Sequence, residues 1–590
     1  MVSEINKKLS LPDFFGAIAG HRTCRIALFI FVILLFNAPL LIKYYTDLTN
    51  PYIINTVDSQ QMVPFYKFYF KNFSTSYAHE YYLNAWAPLG YKYLYTSLSR
   101  FFNPRAIAHV VGAGLILVNL IFVYLAGKKF FGFYTALATC LILITSELVN
   151  YLTISGVPHS FAFPVLSAAM YFFLSRKLKM GLLTSFLGFC FYPMIGLFTF
   201  LMFFVREYFL PPLFLKKREI FSRKTVYFII TGLAAITVCL PMIIHGQSYG
   251  PRLTVDSTTQ FPEFGEQGRY YTWAGDQPPT YANIQKSFFA AFILSLTSHT
   301  QGDWSKNKLF TPLISLAIMA VFLLIINNLF RRCRRRDQPA CGSHCVFLLA
   351  YFISLSLCLL ASTVFFPYLF YPERYIRHTL PVVFIFYLCP LIARALEIIT
   401  FGKVSKNIIF PAVMLYALLY NISSNGLNYT THIADYDQAK NKAVYEFIST
   451  LPATSQLVGW PDLRYVANDV ELITHRKVYY SIEKHQVAHL APTLIMRGMA
   501  EKFFDAYFAT NIDALKKFRD ETGTNYMIVD KRHFLSPDNP DYLKPTYFAP
   551  FQPYIDTKLQ TKKPFILPQL EKQAVFANDT VFIVNLDNLK

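Results

Sequence analysis

The stretch that decides the fold is AIAHVVGAGLILVNLIFVYLA, residues 106–126, which contains no Asp, Glu, Lys or Arg. About 20 predominantly apolar residues are needed to cross the roughly 30 Å hydrocarbon core of a bilayer. This stretch and ten further apolar runs predict about eleven spans, near residues 25–43, 106–126, 132–151, 159–174, 181–191, 194–210, 225–245, 309–330, 345–370, 380–399 and 407–424. The fifth run is short and can form a broken pair with the sixth around Tyr192-Pro193.

The composition agrees with a multi-span membrane protein. The 590 residues are 54% hydrophobic and only 15% charged, whereas soluble domains carry about 25% charged residues. A soluble enzyme, a disordered regulator and a collagen-like fibre are therefore excluded. The net charge of +20 is explained by Lys and Arg on cytoplasmic loops, so the sequence predicts no nucleic-acid partner.

The distribution of basic residues predicts the orientation in the membrane. With residues 1–24 in the cytoplasm, the loops on that side hold 21 Lys and Arg in about 71 residues, against 12 in about 144 on the opposite side. This is the asymmetry of the positive-inside rule. The transmembrane domain is then 25–429, with long outer loops at 44–105 and 246–308, and residues 430–590 form an extracytoplasmic domain.

Residues 430–590 are predicted to fold as a small α/β domain. Three short apolar segments indicate strands at 455–460, 476–481 and 525–530, and helical periodicity occupies 488–507 and 511–522. The Pro-rich stretch 536–567 predicts an extended connector. Two alternating runs around Asn578-Asp579 predict a closing hairpin. The predicted fold class is therefore an α-helical polytopic membrane protein with a C-terminal extracytoplasmic α/β domain.

One acid in the first outer loop stands out. Asp58 opens the aromatic-rich stretch DSQQMVPFYKFYF, which is typical of a helix lying along the membrane. A carboxylate at this position can cap the helix, or it can act as a general base that takes a proton from an acceptor hydroxyl. The residue types leave both interpretations open.

The arrangement of a first span, a long outer loop with an acid, many further spans and a trailing outer domain resembles the GT-C superfamily of membrane glycosyltransferases. The pieces that carry the resemblance are Asp58-Ser-Gln-Gln, Ser155-Gly-Val-Pro-His-Ser-Phe161, Tyr192-Pro193 and Tyr371-Pro-Glu-Arg-Tyr-Ile-Arg-His378. The resemblance implies a GT-C-like fold and a polyprenyl-phosphate or polyprenyl-diphosphate sugar donor. It also implies a catalytic acid at Asp58, with Asp47 as second candidate because Ser59 stands where an acid pair often occurs.

The outer loops also supply candidate substrate-binding residues. The second loop carries Glu263, Arg269 and Trp273; an arginine there suits a lipid phosphate, and Trp273 can stack on a sugar or anchor the interface. Before the tenth span stand Arg374, Arg377 and His378. The two arginines are three apart and share a face on a helix, where they form a phosphate clamp or pair with anionic headgroups.

The sequence, with this resemblance, thus predicts a GT-C-type glycosyltransferase that moves a sugar from a polyprenyl-linked donor to a lipid, glycan or protein acceptor on the outer face of a bacterial inner membrane. A lipid or polymer transporter and a non-catalytic membrane assembly or binding protein are the alternatives. Membrane lipids are the remaining expected partners. No cofactor is predicted, and a divalent metal has no ligand set to support it.

Overall fold

The structure is a computed structural model. It describes residues 50, 52, 57–210, 223–254, 260–261, 263, 339–364, 372–399, 438–462, 465–485, 488–535, 551–560 and 564–589. The predicted spans 25–43, 309–330 and 407–424 lie outside these residues.

The regular elements described before residue 400 are helices, apart from an isolated β-bridge between Arg252 and His489. This part contains two 3-10 helices, Val57–Phe65 and Pro158–Phe161. It also contains two short π-helical turns, Tyr82–Trp86 and Val205–Phe209. The α-helices are α1 Tyr66–Tyr69, α2 Tyr77–Tyr81, α3 Leu89–Leu98, α4 Pro104–Phe131, α5 Phe133–Thr145, α6 Glu147–Ile154, α7 Ala162–Leu174, α8 Leu178–Phe191, α9 Pro193–Phe204, α10 Arg223–Gln247, α11 Pro339–Val364, α12 Pro372–Arg377 and α13 Leu380–Ile399.

Most of the predicted spans that fall on described residues appear as helices. Three of these are long and apolar enough to cross a membrane, at Pro104–Phe131, Arg223–Gln247 and Ser343–Ser362. The predicted broken pair is confirmed, because α8 and α9 are separated by Tyr192 alone. The continuous span predicted at 132–151 is wrong: the helix breaks at Ser146, and the Asn150 side-chain amide donates to the Ile144 carbonyl at the break.

Local chemistry sets the ends of α4, the helix that contains the stretch 106–126. The Asn103 side chain accepts a hydrogen bond from the Arg105 amide at 2.9 Å, and Pro104 occupies the first helical position. Both are favoured there, because the first amides of a helix have no internal partner. The helix ends at Gly132, whose φ of +93° is readily available only to glycine.

Segments predicted to lie on the same side of the membrane contact each other. At one end, segments expected in the cytoplasm contact each other: Lys129 Nζ donates to Ser175 Oγ at 2.9 Å, and Arg176 donates to Ser343 Oγ at 3.3 Å. At the other end, Tyr95 of the first outer loop donates to the Gly156 carbonyl at 2.8 Å. These contacts group the segments by side, and the orientation of the two sides stays a prediction.

The described part of 430–590 forms an α/β domain around a five-stranded sheet. Its strands are β1 Gln456–Gly459, β2 Lys477–Val478, β3 Tyr526–Asp530, β4 Phe576–Ala577 and β5 Val581–Asn585, and its α-helices are α14 Lys442–Thr450, α15 Val466–Thr474, α16 Leu490–Tyr507, α17 Ile512–Thr522, α18 Arg532–Leu535 and α19 Gln552–Leu559. The strand order is β2-β1-β3-β5-β4, with β1 parallel to both neighbours and β5 antiparallel to β3 and β4.

Alternating side chains of the strands build two cores, one on each face of the sheet. Val458 and Met527 join a cluster with Phe503 and Leu515 of α16 and α17. The intervening positions, such as Ile528, face a second cluster that includes residues of α14 and α15. Since side chains alternate across a strand, this pattern makes a three-layer α/β/α domain.

The sequence predictions for this domain hold with one correction. The three predicted strands, the two helices and the hairpin around Asn578 are confirmed. The predicted extended connector is wrong in part, because α19 lies within it. Pro553 stands in the first turn of this helix, where its missing amide hydrogen costs nothing.

Candidate functional site

Three sequence pieces that lie far apart in the chain meet at the predicted outer end of the bundle. His378, just after α12, has its Nδ1 2.8 Å from the hydroxyl of Tyr192, in the break between α8 and α9. The ring of His159 stacks on the ring of His378, with centroids 5.9 Å apart. All three side chains are buried. We call these residues, His159, Tyr192 and His378, the histidine cluster.

Close packing fixes the loop that carries His159. Gly156 has a φ of +66°, and a Cβ atom there would overlap the carbonyl oxygen of Ala108 in α4. The hydroxyls of Ser155 and Ser160 lie 3.0 Å apart and bond across the same loop. Glycine is therefore required at 156 for the loop to approach α4, and the approach sets the position of His159.

The predicted arginine pair stands on a helix beside this cluster. In α12, Tyr375 and Ile376 are fully buried, whereas Arg374 is half-buried and Arg377 is exposed. The amide of His378 donates to the Arg374 carbonyl at 2.9 Å and so continues the helical turn. The short helix thus presents two guanidinium groups next to the histidine cluster.

One buried hydroxyl near the cluster has no partner among the residues that the structure describes. Tyr375 is 0% exposed, and its hydroxyl forms no hydrogen bond to that part of the chain. A buried hydroxyl without a partner carries a desolvation cost, which a bound polar ligand would offset.

Asp58 lies in the first turn of the 3-10 helix Val57–Phe65. This helix packs through Phe65, whose ring is 5.5 Å from that of Tyr91 and 5.2 Å from that of Tyr95. Tyr95 in turn bonds the Gly156 carbonyl, three residues before His159. The segment that carries Asp58 and the loop that carries His159 are therefore held by the same tyrosine.

The structure places Glu263 against the outer domain. Its carboxylate accepts from Arg497 Nε at 3.0 Å and also contacts Arg497 Nη2, and His485 Nε2 lies 3.5 Å away. Burial raises the pKa of Glu263, but the neighbouring His485 and the hydrogen-bonded Arg497 outweigh burial and lower it to about 2. Glu263 is thus an ionised, 1% exposed strut between the second outer loop and α16, and this placement favours a structural role.

Three predicted site residues, Asp47, Arg269 and Trp273, lie outside the described residues. Within the described part of the chain, no group of three or more His, Cys, Asp or Glu side chains is arranged to hold a metal ion. His485 and His489, four apart in sequence, have separate partners: His485 lies against Glu263, and His489 Nδ1 is 2.8 Å from the Tyr81 hydroxyl.

The sequence reasoning did not select His159 or Tyr192 as site residues, although both stand in the pieces that resemble the GT-C superfamily. The adjacent prolines, Pro158 and Pro193, could have indicated these positions, because prolines that interrupt apolar runs mark bends at span ends. A buried carboxylate in the outer domain, Asp469, was also missed. It lies in an ordinary amphipathic helix, and nothing local distinguishes it.

The comparison with solved structures returns membrane glycosyltransferases of the GT-C superfamily. The chain is similar to ArnT from Cupriavidus metallidurans at 12% identity and a TM-score of 0.42, covering 94% of this chain and 97% of that one. It is similar to the Archaeoglobus fulgidus oligosaccharyltransferase in the apo form at 11% identity and a TM-score of 0.46, covering 89% and 71%.

A second structure of that oligosaccharyltransferase, with zinc and sulfate, matches at 12% identity and a TM-score of 0.37, and the match covers 81% of this chain and 65% of the archaeal chain. These likenesses concern the course of the chain, and no residue role or ligand is taken from them. No protein-family model matches the chain, and no curated protein matches it.

Proposed function

We propose that the protein is a membrane glycosyltransferase that moves a sugar from a polyprenyl-phosphate or polyprenyl-diphosphate donor to an acceptor at the outer face of the membrane. The observation that carries the proposal is the meeting of His159, Tyr192 and His378 beside Arg374 and Arg377. Buried polar groups in a membrane bundle are expensive and default to a functional role.

The donor phosphate is the group that this arrangement suits best. A guanidinium group binds phosphate oxygens with two parallel hydrogen bonds, and Arg374 and Arg377 are three positions apart on α12. The Tyr375 hydroxyl, which has no partner in the described part of the chain, supplies a further donor. Positive charge at this point also stabilises the phosphate as it leaves the sugar.

Asp58 is the residue we assign as general base. It takes the proton from the acceptor hydroxyl while the hydroxyl oxygen bonds to the anomeric carbon. The bond between that carbon and the phosphate oxygen breaks, and the polyprenyl phosphate leaves with the electron pair. The position of Asp58 on a helix that shares Tyr95 with the His159 loop supports this assignment.

The outer domain and the first loop provide the surface for an acceptor, which is a lipid, a glycan or a protein. In this proposal residues 1–24 are cytoplasmic, the domain 430–590 is extracytoplasmic, and the protein resides in a bacterial inner membrane. The basic contacts at the opposite end of the bundle, such as Lys129 with Ser175, support that orientation.

The test is transfer by the pure protein in liposomes that contain polyprenyl-phosphate sugars of defined composition. Wild-type protein is expected to release polyprenyl phosphate and to label an acceptor. Asp58→Asn is expected to lower the rate at least about 100-fold, because a positioned base contributes that much. Full activity of Asp58→Asn would refute the base assignment, and no release with any donor would leave transport or assembly as the function.

Donor binding is measured separately by native mass spectrometry of gently solubilised protein. Wild type is expected to retain a polyprenyl phosphate that carries a sugar mass, and Arg374→Ala with Arg377→Ala is expected to lose it. Arg100→Ala is the matched control, since Arg100 is an exposed arginine in the first outer loop. Retention by the double variant, or equal loss in the control, would count against the phosphate site.

A further inference from the structure

A groove runs between α8 and α10 in the half of the bundle that the charge distribution places toward the cytoplasm. It has a volume of about 290 Å³. Leu182, Leu183 and Phe186 of α8 form one wall, and Ile230 and Ala234 of α10 form the other. The walls are therefore built almost wholly of hydrocarbon.

The hydroxyl of Thr231, which lines the groove between Ile230 and Ala234, is already satisfied. Thr231 Oγ1 donates to the Tyr227 carbonyl one turn earlier at 2.8 Å. Water needs two or more polar partners to be held in a cavity, and apolar cavities stay dry. The groove consequently suits a hydrocarbon chain rather than a polar ligand.

The groove faces the lipid side of α10. Exposed apolar residues continue along this helix, with Ile230 58% exposed, Leu233 60% and Ile236 61%. On a helix that crosses a bilayer such residues contact acyl chains. The described walls thus leave the groove open to the hydrocarbon of the membrane.

Unpaired positive charge marks the cytoplasmic end of the groove. Lys179 lines it, with Nζ 4.9 Å from the centroid of the Tyr227 ring. No carboxylate in the described part of the chain forms an ion pair with Lys179, and Lys177 and Arg223 are further exposed cations in these two segments. Lys224, by contrast, is paired with Glu207 at 2.7 Å. The chemistry that complements this end is a lipid phosphate.

We propose that this groove is a binding site for one anionic glycerophospholipid of the cytoplasmic leaflet. An acyl chain lies between Leu183 and Ile230, and the headgroup phosphate contacts Lys179. The site is on the opposite side of the membrane from the histidine cluster, and it does not depend on the proposed glycosyl transfer. The cationic end selects an anionic lipid over a zwitterionic one with the same chains.

The experiment compares binding of phosphatidylglycerol and phosphatidylcholine with identical acyl chains, by native mass spectrometry of the delipidated full-length protein. Wild type is expected to bind phosphatidylglycerol at least about fivefold more tightly, as one lysine near a membrane surface provides. Lys179→Ala is expected to remove this preference. Ala234→Phe fills the groove and is expected to weaken binding of both lipids.

Two variants serve as matched controls. Lys128→Ala removes another exposed lysine that lies over a tyrosine ring, 5.6 Å from the centroid of Tyr124. Ile236→Phe enlarges a lipid-facing side chain of α10 outside the groove. Both variants are expected to bind the two lipids as tightly as wild type does. Melting temperatures of all variants check that each one is folded. Equal binding of the two lipids by wild type, or the same loss in Lys128→Ala as in Lys179→Ala, would overturn the proposal.

Discussion

Gln60 and Asp469 are joined by a hydrogen bond of 3.1 Å from Gln60 Nε2 to the aspartate carboxylate. Gln60 lies two residues after Asp58 on the same 3-10 helix, and Asp469 lies on α15 of the outer domain. The same amide group also donates to the Asn468 carbonyl at 2.6 Å. The outer domain therefore holds the segment that carries the proposed base.

A second buried cluster reinforces this attachment. Glu471, also on α15, accepts from Lys484 Nζ at 2.7 Å, and His79 Nε2 of the first outer loop lies 3.2 Å from its other oxygen. Burial raises the pKa of Glu471, but Lys484 and His79 outweigh burial and lower it to about 2. Neighbouring turns of one helix, α15, thus fix two parts of the first outer loop.

Asp469 should give the stability of the protein a distinct pH dependence. Burial raises its pKa to about 7, although hydrogen bonds from Gln60, Asn468 and Gln438 oppose the rise. Between about pH 4 and pH 7 the folded protein keeps this proton whereas the unfolded chain has lost it. The contribution of Asp469 to stability therefore falls as the pH rises through this range, by at most about 4 kcal/mol, because a tenfold change in proton affinity is worth about 1.4 kcal/mol.

The measurement is the melting temperature of wild type and Asp469→Asn in detergent from pH 4.5 to 8.5. We expect the melting temperature of wild type minus that of the variant to decrease steadily up to about pH 7 and then to level off. His79 and His489, whose pKa values burial lowers, destabilise the fold as the pH falls in both proteins, so the difference isolates Asp469. A difference that stays constant with pH would show that Asp469 does not titrate in this range.

Glu263→Gln should destabilise the outer domain more than loss of an exposed ion pair of α16, the helix that carries its partner Arg497. Breaking a buried pair leaves a charge without its partner and costs about 3 kcal/mol. Lys502, also on α16, pairs with Glu521 at 2.7 Å, but both side chains are more than a third exposed. Lys502→Ala should lower the free energy of unfolding by less than about 1 kcal/mol. Urea unfolding followed by tryptophan fluorescence compares the two variants, and equal costs would exclude the strut role of Glu263.

The sequence predicts elements better than it predicts the contacts between them. The helix at 380–399 and the strand at 525–530 follow from runs of apolar residues, and both appear in the structure. The break at Ser146 could not be predicted, because Ser and Asn are tolerated within apolar helices and the hydrogen bond from the Asn150 side chain to the Ile144 carbonyl has no local sequence signature.

In the candidate site, too, single segments could be predicted from the sequence but the contacts between them could not. The arginines of α12 and His378 were predicted from the charge density of one short segment. The contacts of His378 with Tyr192 and His159 depend on how three helix ends pack, which no local pattern encodes. Asp469 was missed for the same reason, since its partner Gln60 is 409 positions away in sequence.

Tyr192→Phe tests the histidine cluster without changing its packing. The variant removes the hydroxyl that lies 2.8 Å from His378 Nδ1 and leaves a buried nitrogen without that partner. In the proposed site this hydrogen bond orients His378, so its loss is expected to raise the activation free energy of sugar release by about 1–3 kcal/mol. The rate should therefore fall about 5- to 150-fold while the protein stays folded. Tyr93→Phe is the control because Tyr93 is 65% exposed. Equal rates in both variants would show that the hydroxyl has no part in the reaction.

The packing that positions His159 can be tested with two glycines of one helix. A Cβ atom at Gly112 of α4 would overlap the carbonyl oxygen of Ile154, just before the His159 loop, whereas a Cβ atom at Gly114 meets nothing within 4 Å. Gly112→Ala is therefore expected to push α4 from the loop and to destabilise the protein by about 1–3 kcal/mol. Gly114→Ala should be neutral or stabilising by up to about 1 kcal/mol, because alanine favours a helix over glycine. Melting temperatures measured by size-exclusion chromatography after heating distinguish the two, and an equal effect of both substitutions would show that α4 and the loop do not meet as closely as we find.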